Sequence, residues 1–188
     1  PAGIDLGSGG FVVLTRPSVM LVIEDGTPSD DAGAIWHLLD VRYGMPVTLV
    51  TPSRMASVSP GKYNVIIIAG NPSLSPATVD RLRNWSRSGG TLIGYRGGNR
   101  WLAANGFADI SYIEAAPVVP GKERNYSGRS VDRALQSVPG TIFRTTVDIT
   151  HPLCYGYTQP YLPVFKTNAS AVKVSGSSWN TPVKYTSD

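Results

Sequence analysis

The chain has 188 residues, which is enough for one domain with a full hydrophobic core. Its residues are 41% hydrophobic and 16% charged, so the composition is that of a folded protein and excludes a disordered one. The formal net charge is only +4, and the arginines are scattered among apolar residues rather than gathered into a basic run, which argues against nucleic-acid binding.

The first half of the chain predicts strands that alternate with helices. Residues 19–23 form a near-continuous apolar run, which is typical of a strand buried on both faces of a parallel sheet. Ser29 or Asp30 then begins a helix, because either side chain is a good cap and apolar residues recur after it at three- and four-residue spacing. Residues 47–50 and 63–69 predict the second and third strands, in parallel order.

A second helix and a fourth strand continue this alternation. Ser75 supplies a capping hydroxyl and Pro76 occupies the first helical position, so a helix is predicted from there to a Gly-Gly stop at residues 89–90. Residues 91–93 predict the fourth strand, and a short helix is expected at 99–105. About 90 residues of alternating strands and helices predict a doubly wound sheet.

The second half of the chain has a weaker pattern. Residues 110–130 are rich in Pro, Gly, Ser and charge without a period, which predicts a long loop, and residues 130–136 predict a short helix. Residues 141–147 and 162–166 predict strands that complete or flank the sheet. A further strand is expected around 171–174, followed by a frayed end.

The sharpest chemical signal is the glycine-rich turn after the fourth strand. The turn is Gly94-Tyr-Arg-Gly-Gly98. Small residues around a central side chain are what a nucleophile elbow needs, because they let that side chain sit on a strained turn. The segment resembles the Gly-x-Cys-x-Gly elbow of class I glutamine-amidotransferase-like domains, with Arg96 at the position of the cysteine.

Arg96 decides which chemistry this turn supports. A guanidinium stays protonated in proteins and does not attack a carbonyl as a thiolate does. We therefore expect no amide hydrolysis and no enzymatic activity of this chain by itself. Two interpretations of Arg96 remain open. It is either a charge that fills space and pairs with a carboxylate, or an anion-binding residue at the carboxyl ends of the strands.

A second resemblance extends over more of the chain. Residues 148–156, Asp-Ile-Thr-His-Pro-Leu-Cys-Tyr-Gly, are similar to a segment of trehalose-utilisation-type domains. They are also similar to the amidotransferase-like domain appended to zinc carboxypeptidases of the M14 type, in which stretches like residues 140–143 and 162–165 flank the segment. The similarity covers about three quarters of the sequence and also includes residues 31–33, 36–40, 62–66 and the Gly-Gly-Thr-Leu-Ile run.

These resemblances imply a flavodoxin-like three-layer α/β sandwich with a mostly parallel sheet, of the class I glutamine-amidotransferase-like kind. We expect a single domain over residues 1–188, with residues 1–17 and 176–188 at its periphery. In such folds, ligands bind beyond the carboxyl ends of the strands. The candidate ligand-binding residues there, together with a histidine of the 148–156 segment, are Asp25, Thr27, Asn71, Arg96, Asn99 and His151.

The resemblance also implies a function. We expect a non-catalytic accessory domain of a larger, exported zinc carboxypeptidase, whose upstream peptidase domain is the partner of this one. Zinc would belong to that separate domain, and the location would be periplasmic or extracellular. The alternative is a stand-alone trehalose-utilisation-type module that binds a sugar or an anionic metabolite. No nucleic-acid partner is expected.

The histidines and the cysteine add little chemistry of their own. His151 is a candidate general base, but the sequence shows no nucleophile for it, and a structural histidine that ties a loop is favoured. Because His37 is the only other histidine, no metal or other cofactor is expected in this domain. Cys154, the single cysteine, lies in an apolar setting that predicts a buried, inert thiol. No apolar stretch approaches the ~20 residues of a membrane-spanning helix, so we expect a soluble protein.

Overall fold

The computed structural model of the chain describes residues 13–23, 30–113, 125–128, 131, 134, 137–138 and 140–186. The chain divides into two compact units, a first unit of Pro1–Asp109 and a second unit of Ile110–Asp188. Each unit has its own sheets. That the whole chain is one domain stays a prediction.

The first unit is built on a four-stranded sheet of mixed α/β character. Its strands are β1 (Val19–Val22), β2 (Val47–Val50), β3 (Val65–Ile68) and β4 (Thr91–Gly94). They lie in the order β2-β1-β3-β4, and every neighbouring pair is parallel. The four predicted strands and their parallel direction are therefore confirmed. The order is compatible with a flavodoxin-like α/β fold, in which the chain winds in both directions from β1.

Three helices belong to this unit: one lies between β1 and β2, one lies between β3 and β4, and one follows β4. Helix α1 (Asp30–Trp36) continues as a π-helical segment, His37–Arg42, which the sequence pattern did not predict. Helix α2 (Pro76–Arg87) begins as predicted, because the Ser75 hydroxyl accepts a hydrogen bond of 3.3 Å from the Thr78 N–H and Pro76 needs no partner for its own nitrogen. Helix α3 (Gly97–Ala104) begins two residues before the predicted start.

The core of the first unit lies on both faces of the sheet. Side chains alternate along a strand, so Met20 and Val22 face one side and Val19 and Leu21 face the other. The first side is covered by α2 and α3, and the second by α1. All four residues of β1 are at most 3% exposed, as expected of a strand with helices on both faces. The residues that α1, α2 and α3 contribute to these two clusters are Ala32, Val79, Leu82, Trp101 and Leu102.

The second unit has two small antiparallel sheets. Strand β5 (Tyr112–Ile113) pairs with β8 (Ala171–Val172). Strand β6 (Thr141–Val147) lies between β7 (Tyr161–Lys166) and β9 (Val183–Tyr185). The strands predicted at 141–147 and 162–166 are confirmed. Of the two alternatives expected for them, completing the parallel sheet is wrong, because among the described residues both strands pair within an antiparallel sheet of their own, whereas flanking it stays a prediction.

The carboxyl-terminal part of the chain is more ordered than predicted. The frayed end expected after residue 174 is wrong for Val183–Tyr185, which pairs with β6. The strand predicted at 171–174 is shorter and covers Ala171–Val172. The loop predicted at 110–130 is wrong at Tyr112–Ile113, which form β5, and most of the rest of it, like most of the helix predicted at 130–136, lies outside the described residues. Within the described part of the chain, no helix is long and apolar enough to cross a membrane.

Candidate functional site

The elbow lies between the end of β4 and the start of α3. Arg96 occupies the turn with φ 48° and ψ −107°, and among the described residues it is the one non-glycine residue with a positive φ. Such a conformation costs about 1–3 kcal/mol and persists only where the surrounding structure holds it. The predicted sharp, strained turn at Arg96 is therefore confirmed.

Glycines surround Arg96 because no side chain fits beside it. A Cβ at Gly98 would collide with the carbonyl oxygen of Ile68 in β3. A Cβ at Gly94 would lie 2.7 Å from Cδ1 of Leu102 and 2.8 Å from Oδ1 of Asn99, both closer than carbon or oxygen atoms approach a real Cβ. The Gly-x-Arg-x-Gly spacing thus has a packing reason at both of its glycines.

Hydrogen bonds hold the elbow against the end of β3. The Tyr95 N–H donates to the Ile68 carbonyl oxygen at 2.9 Å, and the Gly98 N–H donates to the Tyr95 carbonyl oxygen at 2.9 Å. A methyl group at Gly97 would lie 3.6 Å from the backbone nitrogen of Asn71. The close approach of glycine backbone to β3 is what lets the turn be this tight.

Three of the predicted site residues meet at this edge of the sheet. Asn71 follows β3, Arg96 follows β4, and Asn99 lies in the first turn of α3 with its side chain beside Gly94. Parallel strands place their carboxyl ends on one edge, which is why residues distant in sequence converge here. Asp25 and Thr27, predicted to line the same crevice, lie outside the described residues. The ligand-binding role of all these residues stays a prediction.

The guanidinium of Arg96 pairs with a carboxylate across the crevice edge. Nη1 of Arg96 donates to Oδ1 of Asp31 at 2.7 Å, and Asp31 lies in the first turn of α1. This hydrogen bond, with the negative charge of Asp31, raises the pKa of Arg96 above its ordinary value. The pairing that the first interpretation expected is confirmed. The Arg96 side chain is 52% exposed, however, so it does not serve to fill space.

The chemistry that this arrangement supports is recognition of an anion. A guanidinium has five N–H donors in a fixed planar array, and half of this side chain faces solvent. It has no lone pair that could attack a carbonyl carbon. Sequence reasoning missed the pairing of Asp31 with Arg96, because the two are 65 residues apart.

His151 lies in the second unit and is fully engaged by its own loop. The Leu153 N–H donates to Nδ1 at 3.1 Å, so Nδ1 carries no proton, and Nε2 donates to the Trp179 carbonyl oxygen at 3.1 Å. The side chain is 9% exposed and its ring lies against that of Trp179. The prediction that His151 ties a loop is confirmed, whereas its role in ligand binding stays a prediction.

The remaining polar groups near this loop are structural. The hydroxyl of Thr150 donates to Oδ1 of Asp148 at 2.6 Å, and this bond is the main cause of a pKa of Asp148 below its ordinary value. Cys154 is 2% exposed, so the predicted buried thiol is confirmed. Among the residues that the structure describes, no group of three or more His, Cys, Asp or Glu side chains is arranged to hold a metal ion.

Comparison with protein-family models and with curated proteins finds no match to this chain.

Proposed function

We propose that this chain is a non-catalytic, class I glutamine-amidotransferase-like accessory domain of a larger, exported zinc carboxypeptidase. The observation that supports this proposal is the elbow itself. A strand, a strained turn bracketed by close-packed glycines and a helix occur in the order typical of a nucleophile elbow, and the residue at its tip is Arg96.

Two further observations support the fold part of the proposal. The parallel order β2-β1-β3-β4 agrees with a flavodoxin-like sheet, and helices cover both of its faces as in a three-layer sandwich. The sequence similarity of residues 148–156 to the domain appended to M14-type carboxypeptidases supports the assignment to that parent protein. The parent would be located in the periplasm or outside the cell.

The substitution at the tip supports a non-hydrolytic role. Amide hydrolysis at an elbow needs a nucleophile with a base in hydrogen-bond reach, and a permanently charged guanidinium supplies neither. In this proposal zinc would be held by the upstream peptidase domain. The function of this chain would then be to bind a ligand or to pack against the peptidase domain.

The parent gene product tests the proposal. The reading frame that contains this chain should encode, upstream, a His-x-x-Glu motif and a later histidine. Its full-length product should release C-terminal residues from peptides in a reaction that a zinc chelator stops, and this chain alone should not hydrolyse glutamine. A reading frame without an upstream peptidase, or release of ammonia from glutamine by this chain, would contradict the proposal.

The second candidate is a stand-alone module that binds a sugar or an anionic metabolite at the elbow. The exposed half of the Arg96 guanidinium favours it. A thermal-shift screen of phosphate, carboxylates and sugars should raise the melting temperature of the chain for the ligand that binds. Arg96→Ala should remove that rise, and Arg87→Ala, which changes an exposed arginine at the end of α2, should keep it. No rise with any compound would count against this candidate.

A further inference from the structure

The second unit contains a cavity that none of the functional residues above lines. It has a volume of about 460 Å³ and lies between one face of the β6–β7–β9 sheet and the segment 170–175. Thr145, Val164 and Tyr185 line it from the sheet, and Ala171, Lys173 and Val174 line it from the segment. Its volume is within the range of about 300–1,000 Å³ that small-molecule sites have.

The walls of this cavity are mainly hydrocarbon that faces water. Val172 is 50% exposed, Val174 is 60% exposed and Tyr185 is 49% exposed, and all three line the cavity. Apolar side chains left this open lose the stabilisation of about 25 cal/mol per Å² that burial provides. A ligand with an apolar body would cover them and recover part of that free energy.

Hydrogen bonds fix one end of the cavity in shape. The Ser175 N–H donates to Oγ1 of Thr181 at 3.2 Å, and Oγ of Ser175 accepts from the Ser177 N–H at 3.2 Å. On the opposite side, Oγ1 of Thr145 donates to the Leu162 carbonyl oxygen at 2.8 Å within the sheet. These polar groups therefore have hydrogen-bond partners within the protein.

The charges around the cavity have one sign. Lys173 and Lys184 line it, and Nζ of Lys166 lies 5.1 Å from the centre of the Tyr185 ring, which also lines it. Among the described residues of the second unit the one carboxylate is Asp148, which does not line the cavity and accepts bonds from Thr150. Among the described residues that line the cavity there are ammonium groups and no carboxylate, which favours an anionic group in the ligand.

We propose that this cavity binds a small amphipathic carboxylate, with its hydrocarbon body between the sheet and the segment 170–175 and its carboxylate beside Lys173. The apolar walls select the body, and the positive charge at the opening selects the anion over an alcohol of the same length. This site is separate from the elbow and does not depend on any role of Arg96.

Octanoate is the probe that tests the proposal on the full chain. Displacement of a fluorescent apolar sulfonate, 8-anilinonaphthalene-1-sulfonate, measures its affinity, and 1-octanol serves as the uncharged ligand of equal length. Octanoate should displace the dye with a single saturable site and at about one tenth of the concentration that 1-octanol needs, since one charge-assisted contact is worth roughly a factor of ten.

Matched variants separate the two parts of the site. Lys173→Gln should weaken octanoate about tenfold and leave 1-octanol unchanged, because it removes the charge and little else. Lys62→Gln, at an exposed lysine of the first unit, should change neither affinity. Ala171→Phe should abolish binding of both compounds by filling the cavity, and Val164→Phe fills it from the sheet side if the first variant does not fold.

Three outcomes would overturn the proposal. The first is the absence of saturable octanoate binding at millimolar concentration. The second is an octanoate affinity that Lys173→Gln leaves unchanged. The third is binding that persists in a cavity-filling variant whose circular dichroism matches that of the wild type.

Discussion

The two units of the chain differ in how much of their apolar surface they bury. In the first unit, both faces of the parallel sheet are covered, and Met20, Leu21, Ile66, Ile68 and Leu82 are completely or almost completely buried. In the described part of the second unit, the buried side chains are Thr145, Val147, His151 and Cys154. Parallel sheets need cover on both faces, whereas small antiparallel sheets leave one face open to solvent.

This difference explains where each unit carries its candidate site. The dense packing of the first unit holds Arg96 in a backbone conformation that a non-glycine residue rarely adopts. The sparse packing of the second unit leaves large exposed side chains, such as Ile142 at 69% and Phe165 at 67%, and a cavity instead of a filled core. The strained backbone at Arg96 needs close packing around it, whereas the cavity exists because the packing of the second unit is incomplete.

The largest predicted effect is at Gly98. Gly98→Ala should destabilise the chain by about 3 kcal/mol or more, because the new methyl group collides with a backbone oxygen that cannot move without breaking the sheet. Urea unfolding followed by circular dichroism measures the change. Gly33→Ala is the matched control in α1, where nothing lies within 4 Å, and it should stabilise by about 0.5–1 kcal/mol. Equal effects of the two substitutions would contradict the packing at the elbow.

The next largest effect is a difference between the two units in the free energy of unfolding that is lost when an apolar side chain is truncated. Leu82→Ala in α2 should cost about 2–5 kcal/mol, because a completely buried side chain leaves a cavity. Val164→Ala in β7 should cost about 1 kcal/mol or less, because its side chain is only partly buried beside an existing cavity. Amide hydrogen exchange reads the stability of each unit separately. A larger cost for Val164→Ala would mean that the second unit is the better packed.

Arg96→Gly, unlike the truncations and Gly98→Ala, should stabilise the chain. Glycine adopts a positive φ without steric cost, so the substitution should stabilise the chain by about 1 kcal/mol even though it removes the pair with Asp31. A half-exposed ion pair contributes little, about 0–1 kcal/mol. Arg96→Ala, which keeps the strain and also loses the pair, should not stabilise. The urea midpoints of both variants measure this, and a midpoint for Arg96→Gly no higher than that of Arg96→Ala would contradict the strain at residue 96.

The smallest predicted effect is a pH dependence of the stability of the second unit. Hydrogen bonds from Thr150 lower the pKa of Asp148, so the ionised carboxylate adds stability above the ordinary pKa of aspartate and loses it as the pH falls through the lowered value. Thr150→Val should lower the melting temperature at neutral pH, and its difference from the wild type should vanish in acid. Thr167→Val is an exposed control. A difference that is constant with pH would exclude this linkage.

The sequence predicted the first unit well because its signals are local. Apolar runs mark β1 and β3, Ser75-Pro76 marks the start of α2, and the glycines around Arg96 mark the elbow. Each of these features needs only neighbouring residues. The strand pairing of the second unit was not predictable, because β6 pairs with β9 across about 40 residues. The sequence of a short strand does not specify which other strand it pairs with.

The candidate site was predictable in part for the same reason. That Asn71, Arg96 and Asn99 share one edge follows from parallel strand order, which the alternation of elements predicts. The pair of Arg96 with Asp31 joins two helix starts that no local pattern relates. The cavity of the second unit depends on which strands pair, so the sequence pattern contained no sign of it.

The most direct test of the account is the reactivity of a thiol placed at the elbow. In the double variant Asp31→Asn/Arg96→Cys, which also removes the carboxylate that pairs with Arg96, the new cysteine lies on the strained turn at the start of α3. There its pKa should fall and iodoacetamide at neutral pH should alkylate it about fivefold faster than a cysteine at the exposed position Ser57→Cys, with buried Cys154 unreacted. Alkylation at or below the rate of the Ser57→Cys control would contradict the account that Arg96 occupies a nucleophile elbow.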